Sequence, residues 1–211
     1  MDSKEPARGA GVVLAAGASR RMGEPKALLT RRDGRTFVRA SCEALLIAGL
    51  QPVVVVVAPG ADAIQLEAAS CGARTVVNPQ PERGQVSSIA VGLELAREAG
   101  CAFALIAPVD QPPVPSLLTE QLVRAARHDP AVVHVLTVGQ KRGHPASFPT
   151  ALAAALRNAQ AGESARDVIA RLGFPVREHE VADAAVLRDL DTPEELERFR
   201  DEESQAGTQR S

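Results

Sequence analysis

Aromatic side chains are nearly missing from this chain: 211 residues contain no Trp, no Tyr and only 5 Phe. A core must still form, because 45% of the residues are hydrophobic, so Val, Leu, Ile and Ala have to fill it. A dominant charge is missing too. With 24 basic and 26 acidic residues and a net charge of −2, there is no electrostatic case for binding nucleic acid or an anionic membrane. Cysteine is scarce. Cys42, Cys71 and Cys101 are odd in number, widely spaced and without a CxxC pair, which argues against a zinc site or a disulfide framework. Reduced thiols in a cytoplasmic protein are the expectation. No apolar run approaches the roughly 20 residues that span a bilayer, and Met1 to Gly9, polar and mixed in charge, does not read as a signal peptide.

What the chain does contain is alternation. Short apolar runs at Val12–Ala16, Val53–Val57, Thr75–Val77, Ala102–Ala107 and Val132–Val138 read as strands. The five consecutive valines at 53–57 suit a strand buried on both faces, where β-branched side chains pack well. Between the runs lie amphipathic helical patterns at Phe37–Ala48, Asp62–Cys71, Val86–Glu98, Ser116–His128, Leu152–Gln160 and Ala165–Leu172. A further helix opens at Thr192-Pro193-Glu194-Glu195, with a capping threonine, proline in the first turn and a glutamate at the third helical position. The pattern predicts a Rossmann-like three-layer α/β/α sandwich with a mostly parallel sheet. One domain over 1–211 is expected, its ordered core at about 10–200.

Ligands of such sheets sit outside the carboxyl ends of the strands, close to helix N-termini. The first strand ends in Leu14-Ala15-Ala16-Gly17, followed by Arg21, Gly23 and Lys26. Small residues let the backbone approach a ligand closely, and Arg21 and Lys26 supply the cationic fork and point charge that a triphosphate needs. The spacing excludes a P-loop, since five residues separate the glycines and the lysine comes three later. The dinucleotide fingerprint GxGxxG is also absent, which weakens the case for a nicotinamide dehydrogenase. Asp110 ends the apolar run 102–107 among prolines, where a carboxylate is costly unless paired. Magnesium is a suitable partner, because it prefers carboxylates plus phosphate oxygens.

The run Leu14 to Lys26 matches LAAGxSxRMGxxK and resembles the signature of the nucleotidyltransferases that build molybdenum cofactor dinucleotides, within the wider sugar-nucleotide pyrophosphorylase-like group. The likeness continues to Asp191. It implies a nucleotide-diphospho-sugar transferase type of fold, and transfer of a nucleoside monophosphate to a phosphorylated acceptor with release of pyrophosphate. Under it, Leu14, Ala15, Ala16, Gly17, Arg21 and Lys26 bind nucleotide, with Arg21, Lys26 and Asp110 catalytic. Asn78, Gly84 and Ser88 match the family's NPxWxxGMxxS and would also bind nucleotide, with Pro81 and Gln85 in place of its Trp and Met. Asp110 and Asp191 would hold Mg2+. Asp189 is expected to point to the opposite face from Asp191, at the end of a strand. Arg142-Gly143-His144-Pro145 matches the family's RGHP, is read as a loop, and would place His144 at the acceptor. Gly162 to Arg166 resembles GDxGAR, one residue shorter. LAAG, with Ala16, resembles cytidylyltransferases rather than guanylyltransferases, which favours CTP and molybdopterin, with a recipient apoenzyme as a transient protein partner. A sugar 1-phosphate acceptor and a non-catalytic nucleotide-binding accessory protein are the alternatives.

Overall fold

A computed structural model describes residues 6–17 and 23–208 of the chain. Seven strands form one sheet: β1 (Gly9–Ala15), β2 (Val53–Val57), β3 (Arg74–Val77), β4 (Phe103–Pro108), β5 (Val133–Val138), β6 (Lys141–Pro149) and β7 (Val176–Glu180). Their spatial order is β3-β2-β1-β4-β6-β5-β7. Every pairing is parallel except those of β6, which runs antiparallel to β4 and to β5.

Alternate strand residues feed two separate cores, as the period of two requires. Val53, Val55 and Val57 join Val13, Phe103 and Leu105 beneath α1 (Phe37–Ile47), α2 (Asp62–Ser70), α4 (Ser116–His128) and α7 (Pro193–Thr208). Val12, Leu14, Val56, Ala104 and Ile106 face α3 (Gln85–Glu98), α5 (Ala153–Arg157) and α6 (Ala165–Arg171). This is the expected three-layer sandwich. All five valines of β2 are buried, in keeping with a central strand covered on both sides.

Two strands escaped the sequence reading. β6 contains Gly143, Pro145 and Pro149, which are turn signals by type, so the segment 142–145 expected as a loop is in fact strand. β7 reads VREHE, a charged edge strand with no apolar run to reveal it. The helix expected over 152–160 is shorter, a 3₁₀ turn at Thr150–Leu152 leading into α5. The three cysteines are free thiols, and burial pushes the Cys42 thiol far above its ordinary value. Among the described residues no helix is long and apolar enough to cross a membrane.

Candidate active site

The carboxyl ends of β1 and β4 open onto a cleft of about 450 Å³. Its floor is Leu14, Ala15, Ala16 and Gly17 from the end of β1, its rim includes Lys26, and its far wall is Gly84, Gln85 and Ser88 at the start of α3. Asp110 and Asp191 close one side. A Cβ at Gly17 would meet no described protein atom within 4 Å, so the floor of the cleft is open at this position. Gly84 caps α3 with φ 82 and ψ −172, a conformation that glycine adopts without strain. It lets the first turn of α3 start at the cleft wall, where unpaired backbone N–H groups and the helix dipole favour an anion.

Asp110 follows β4 in a tight turn, in which Gln111 N–H donates to the Pro108 carbonyl at 3.2 Å. Burial raises the Asp110 carboxyl above its ordinary value; Lys26 opposes this, while Asp189 and Asp191 add to it. Asp191 is held by the start of α7. There the expected capping box forms, with Glu195 N–H donating to Thr192 Oγ1 at 3.3 Å and the Glu195 carboxylate accepting from the N–H groups of Thr192 (2.9 Å) and Asp191 (2.7 Å). Residues 188–191 belong to no strand, contrary to the expected strand end. They are tied to the site by Leu190 N–H, which donates to the Asp110 carbonyl at 2.9 Å.

The Lys26 ammonium lies 2.6 Å from Asp191 Oδ1 and 3.9 Å from Asp110 Oδ2, with its side chain only 14% exposed. One cation thus serves two carboxylates. Two hard oxygen donors converging on a cation site fit magnesium, which binds through one or two carboxylates and completes its shell with phosphate oxygens and water. No cluster of three or more His, Cys, Asp or Glu suited to a metal occurs among the described residues, so a closed all-protein cage is not what this site offers.

Of the residues singled out from the sequence, Leu14, Ala15, Ala16, Gly17, Lys26, Gly84, Ser88, Asp110 and Asp191 all line this cleft. Arg21 lies outside the described residues. Asn78 does not reach the cleft: it is buried, and its Nδ2 donates to Ser87 Oγ (2.8 Å) and Ser88 Oγ (3.0 Å) while its Oδ1 accepts from Gln80 N–H (2.9 Å). It acts on the cleft through Ser88. His144 also stands apart, in a cavity behind Asp110 that it shares with Gln111, Pro112 and Thr119. Burial lowers its pKa, and its Nδ1 has no hydrogen-bond partner among the described residues. Arg142 pairs with Glu178 at 2.7 Å. The shortened 162–166 run starts α6, where Ser164 and Asp167 form a capping box.

Asp189, expected on the opposite face from Asp191, does not line the cleft that Asp191 lines; it accepts a 2.6 Å hydrogen bond from Gln111 Nε2, a residue of the cavity that holds His144, and its charge adds to the upward shift of the Asp110 carboxyl. Sequence reading missed Gln111 and Ile64. Ile64 comes from α2 into the cleft wall and looks in sequence like any apolar helix position.

A sequence profile described as the MobA-like NTP transferase domain matches residues 11–179. Nicotine blue oxidoreductase of Paenarthrobacter nicotinovorans is 33% identical over 196 residues, covering 90% of this chain and 95% of that protein. A probable molybdenum cofactor guanylyltransferase of Rhodopirellula baltica is 36% identical over 125 residues, so the match spans 58% of each chain. Among solved structures, Rv0371c of Mycobacterium tuberculosis H37Rv superimposes with a TM-score of 0.78 at 27% identity, covering 94% of this chain and all of that one. With its sheet order and the profile match over most of its length, this chain belongs to the MobA-like NTP transferase family.

Proposed function

We propose that this chain moves CMP from CTP onto the phosphate of a small acceptor, molybdopterin in the first instance, and releases pyrophosphate. The observation that carries the reading is the convergence in one cleft of a strand end of small residues, a helix N-terminus, Lys26 and the two carboxylates Asp110 and Asp191. An oxygen of the acceptor phosphate attacks the α-phosphorus, and the bond from that phosphorus to the β-phosphate bridging oxygen breaks. The acceptor is already ionised, so no protein base is required. The residues have to position two polyanions and offset their charge.

The backbone at Ala15, Ala16 and Gly17 would lie against the nucleoside, and the start of α3, with Ser88 held by Asn78, would take ribose or phosphate. Lys26, with Arg21, would meet the charge that builds up on the leaving pyrophosphate. Asp110 and Asp191 would hold Mg2+, which supplies charge neutralisation at the α-phosphate when bound. Ala16 supports CTP, whereas the guanylyltransferase relative supports GTP. His144, behind Asp110, would serve the acceptor side. The free thiols suit a cytoplasmic setting.

The test is pyrophosphate release from CTP, GTP, UTP and ATP over molybdopterin, sugar 1-phosphates and other phosphorylated acceptors. Release from CTP with molybdopterin supports the full reading. Release with a different pair keeps the chemistry and overturns the substrates, and no release from any pair overturns the transferase.

One observation favours a second reading: the relative matched over nearly its whole length is named an oxidoreductase. A nicotinamide dinucleotide carries a pyrophosphate that the same strand end and Lys26 could hold. Oxidation of NADH or NADPH with nicotine blue as acceptor, without pyrophosphate release from any triphosphate, would establish it.

A further inference from the structure

We infer that Gln111 and Asp189 form a brace that sets the spacing of the two cleft carboxylates, which makes Gln111 a positioning residue for divalent-ion binding. The inference rests on the reading of Asp110 and Asp191 as ion ligands. These two residues come from chain segments that no ladder of the sheet joins: Asp110 follows β4, and residues 188–191 lie outside every strand. Among the described residues two hydrogen bonds connect the segments. Leu190 N–H donates to the carbonyl of Asp110 at 2.9 Å, and Gln111 Nε2 donates to Asp189 Oδ1 at 2.6 Å. Each bonded pair contains a ligand or the immediate neighbour of one.

The chemistry of this contact is directional. An ionised carboxylate only accepts, so the Gln111 amide has to present its nitrogen to Asp189. Its Oε1 is then turned inward, where it is buried. The brace also answers an electrostatic problem. Asp189 and Asp191 both act on Asp110 as like charges, and three carboxylates would push the two segments apart. Lys26 offsets the repulsion inside the cleft. Gln111 offsets it at the edge with a neutral donor, which adds no positive charge to compete with an incoming divalent ion.

The test is Mn2+ binding to the purified full chain, followed by electron paramagnetic resonance, for wild type, Q111E, D189N and the double variant Q111E/D189N. Q111E sets two carboxylates against each other. A carboxylate added near a cation site should tighten binding by simple attraction; the brace predicts the reverse, a loss of about ten- to a hundredfold, the range typical when a residue behind a metal ligand is changed. D189N still offers a carbonyl oxygen to the Gln111 amide and should bind nearly as wild type. The double variant exchanges amide and carboxylate at unchanged net charge, and should recover binding to within a few fold of wild type. Q111L, which removes the amide without adding charge, should also bind more weakly, and it stands in if Q111E does not fold. Thermal unfolding of each variant near the wild-type temperature separates positioning from loss of structure. Wild-type affinity in both Q111E and Q111L, or no recovery in the double variant, overturns the brace while leaving the ion site standing. If wild type binds no Mn2+, the ion-ligand reading fails, and the brace fails with it.

Discussion

Replacing Gly143 by alanine tests how the fold delivers its carboxylates. Gly143 lies in β6, and a Cβ built there would fall 2.3 Å from the carbonyl oxygen of Val186 and 2.8 Å from its carbonyl carbon. That neighbour is backbone, within the 3₁₀ turn Ala184–Leu187, so no side-chain rotation relieves the clash. Val186 itself is fully packed in the core, which leaves the turn little room to retreat. Overpacking typically costs about 1–3 kcal/mol, and an obstacle made of backbone puts this site near the upper end. A chain of this size loses about 2–4 °C of Tm per kcal/mol, so G143A should melt roughly 6–12 °C lower. The displaced turn leads directly into residues 188–191, so magnesium-dependent nucleotide binding should weaken even well below the melting temperature. Calorimetric unfolding and titration of the same samples supply both readouts. An unchanged Tm together with unchanged binding would refute the argument, and would mean that the β6 backbone does not set the position of this turn.

Asp110→Ala should reduce turnover by at least a hundredfold while leaving the far-ultraviolet dichroism unchanged, because the cleft then loses one of its two proposed ion ligands; a variant that keeps turnover would remove Asp110 from the metal. Lys26→Met should have opposite effects on two assays. With the ammonium gone from between the carboxylates, Mn2+ should bind the nucleotide-free chain more tightly, while nucleotidyl transfer falls because the leaving pyrophosphate loses its cation. A fall in both would show that Lys26 organises the carboxylates rather than competing for them. His179, bonded to the buried His134, offers a pH test. His134 Nε2 donates to the Asp129 carbonyl at 2.9 Å, so its Nδ1 accepts from His179 Nε2 at 3.0 Å. Burial first, then His134 and Arg177, holds the His179 pKa below 6.5. The folded chain therefore takes up fewer protons there than the unfolded one; this stability is present above 6.5 and is lost as pH falls through the depressed folded value. Urea unfolding across that range should show a smaller acid loss in His179→Gln than in wild type, and equal slopes would contradict the assignment.

Much of the architecture was legible because it rests on patterns with a single physical cause. Five valines in a row have one comfortable place in an α/β sheet covered on both faces, and Thr192 with Glu195 spells a helix start that the hydrogen bonds reproduce. The floor of the cleft was legible for a related reason: Ala15, Ala16 and Gly17 are small where a strand ends and a ligand can approach. What stayed hidden depends on contacts between distant segments. β7 is an edge strand of charged residues, and its parallel pairing with β5 leaves no local periodicity to read. Gln111 resembles any loop amide until Asp189, far along the chain, is placed beside it. Asn78 reads as a ligand contact only through its match to the family motif, yet the three hydrogen bonds of its side chain are internal and set Ser87 and Ser88. Gly143 looked like a loop glycine, whereas its value lies in bringing a strand and a turn into contact.

The central claim is that one cleft takes a nucleoside triphosphate together with a divalent ion. Isothermal titration of CTP, GTP, UTP, ATP and NAD, each with and without magnesium, into wild type and Asp110→Ala tests it most directly. The account predicts that a triphosphate binds, CTP foremost, that magnesium strengthens the binding, and that the strengthening disappears in Asp110→Ala. Binding of NAD alone, or triphosphate binding that is indifferent to both magnesium and Asp110, would contradict it.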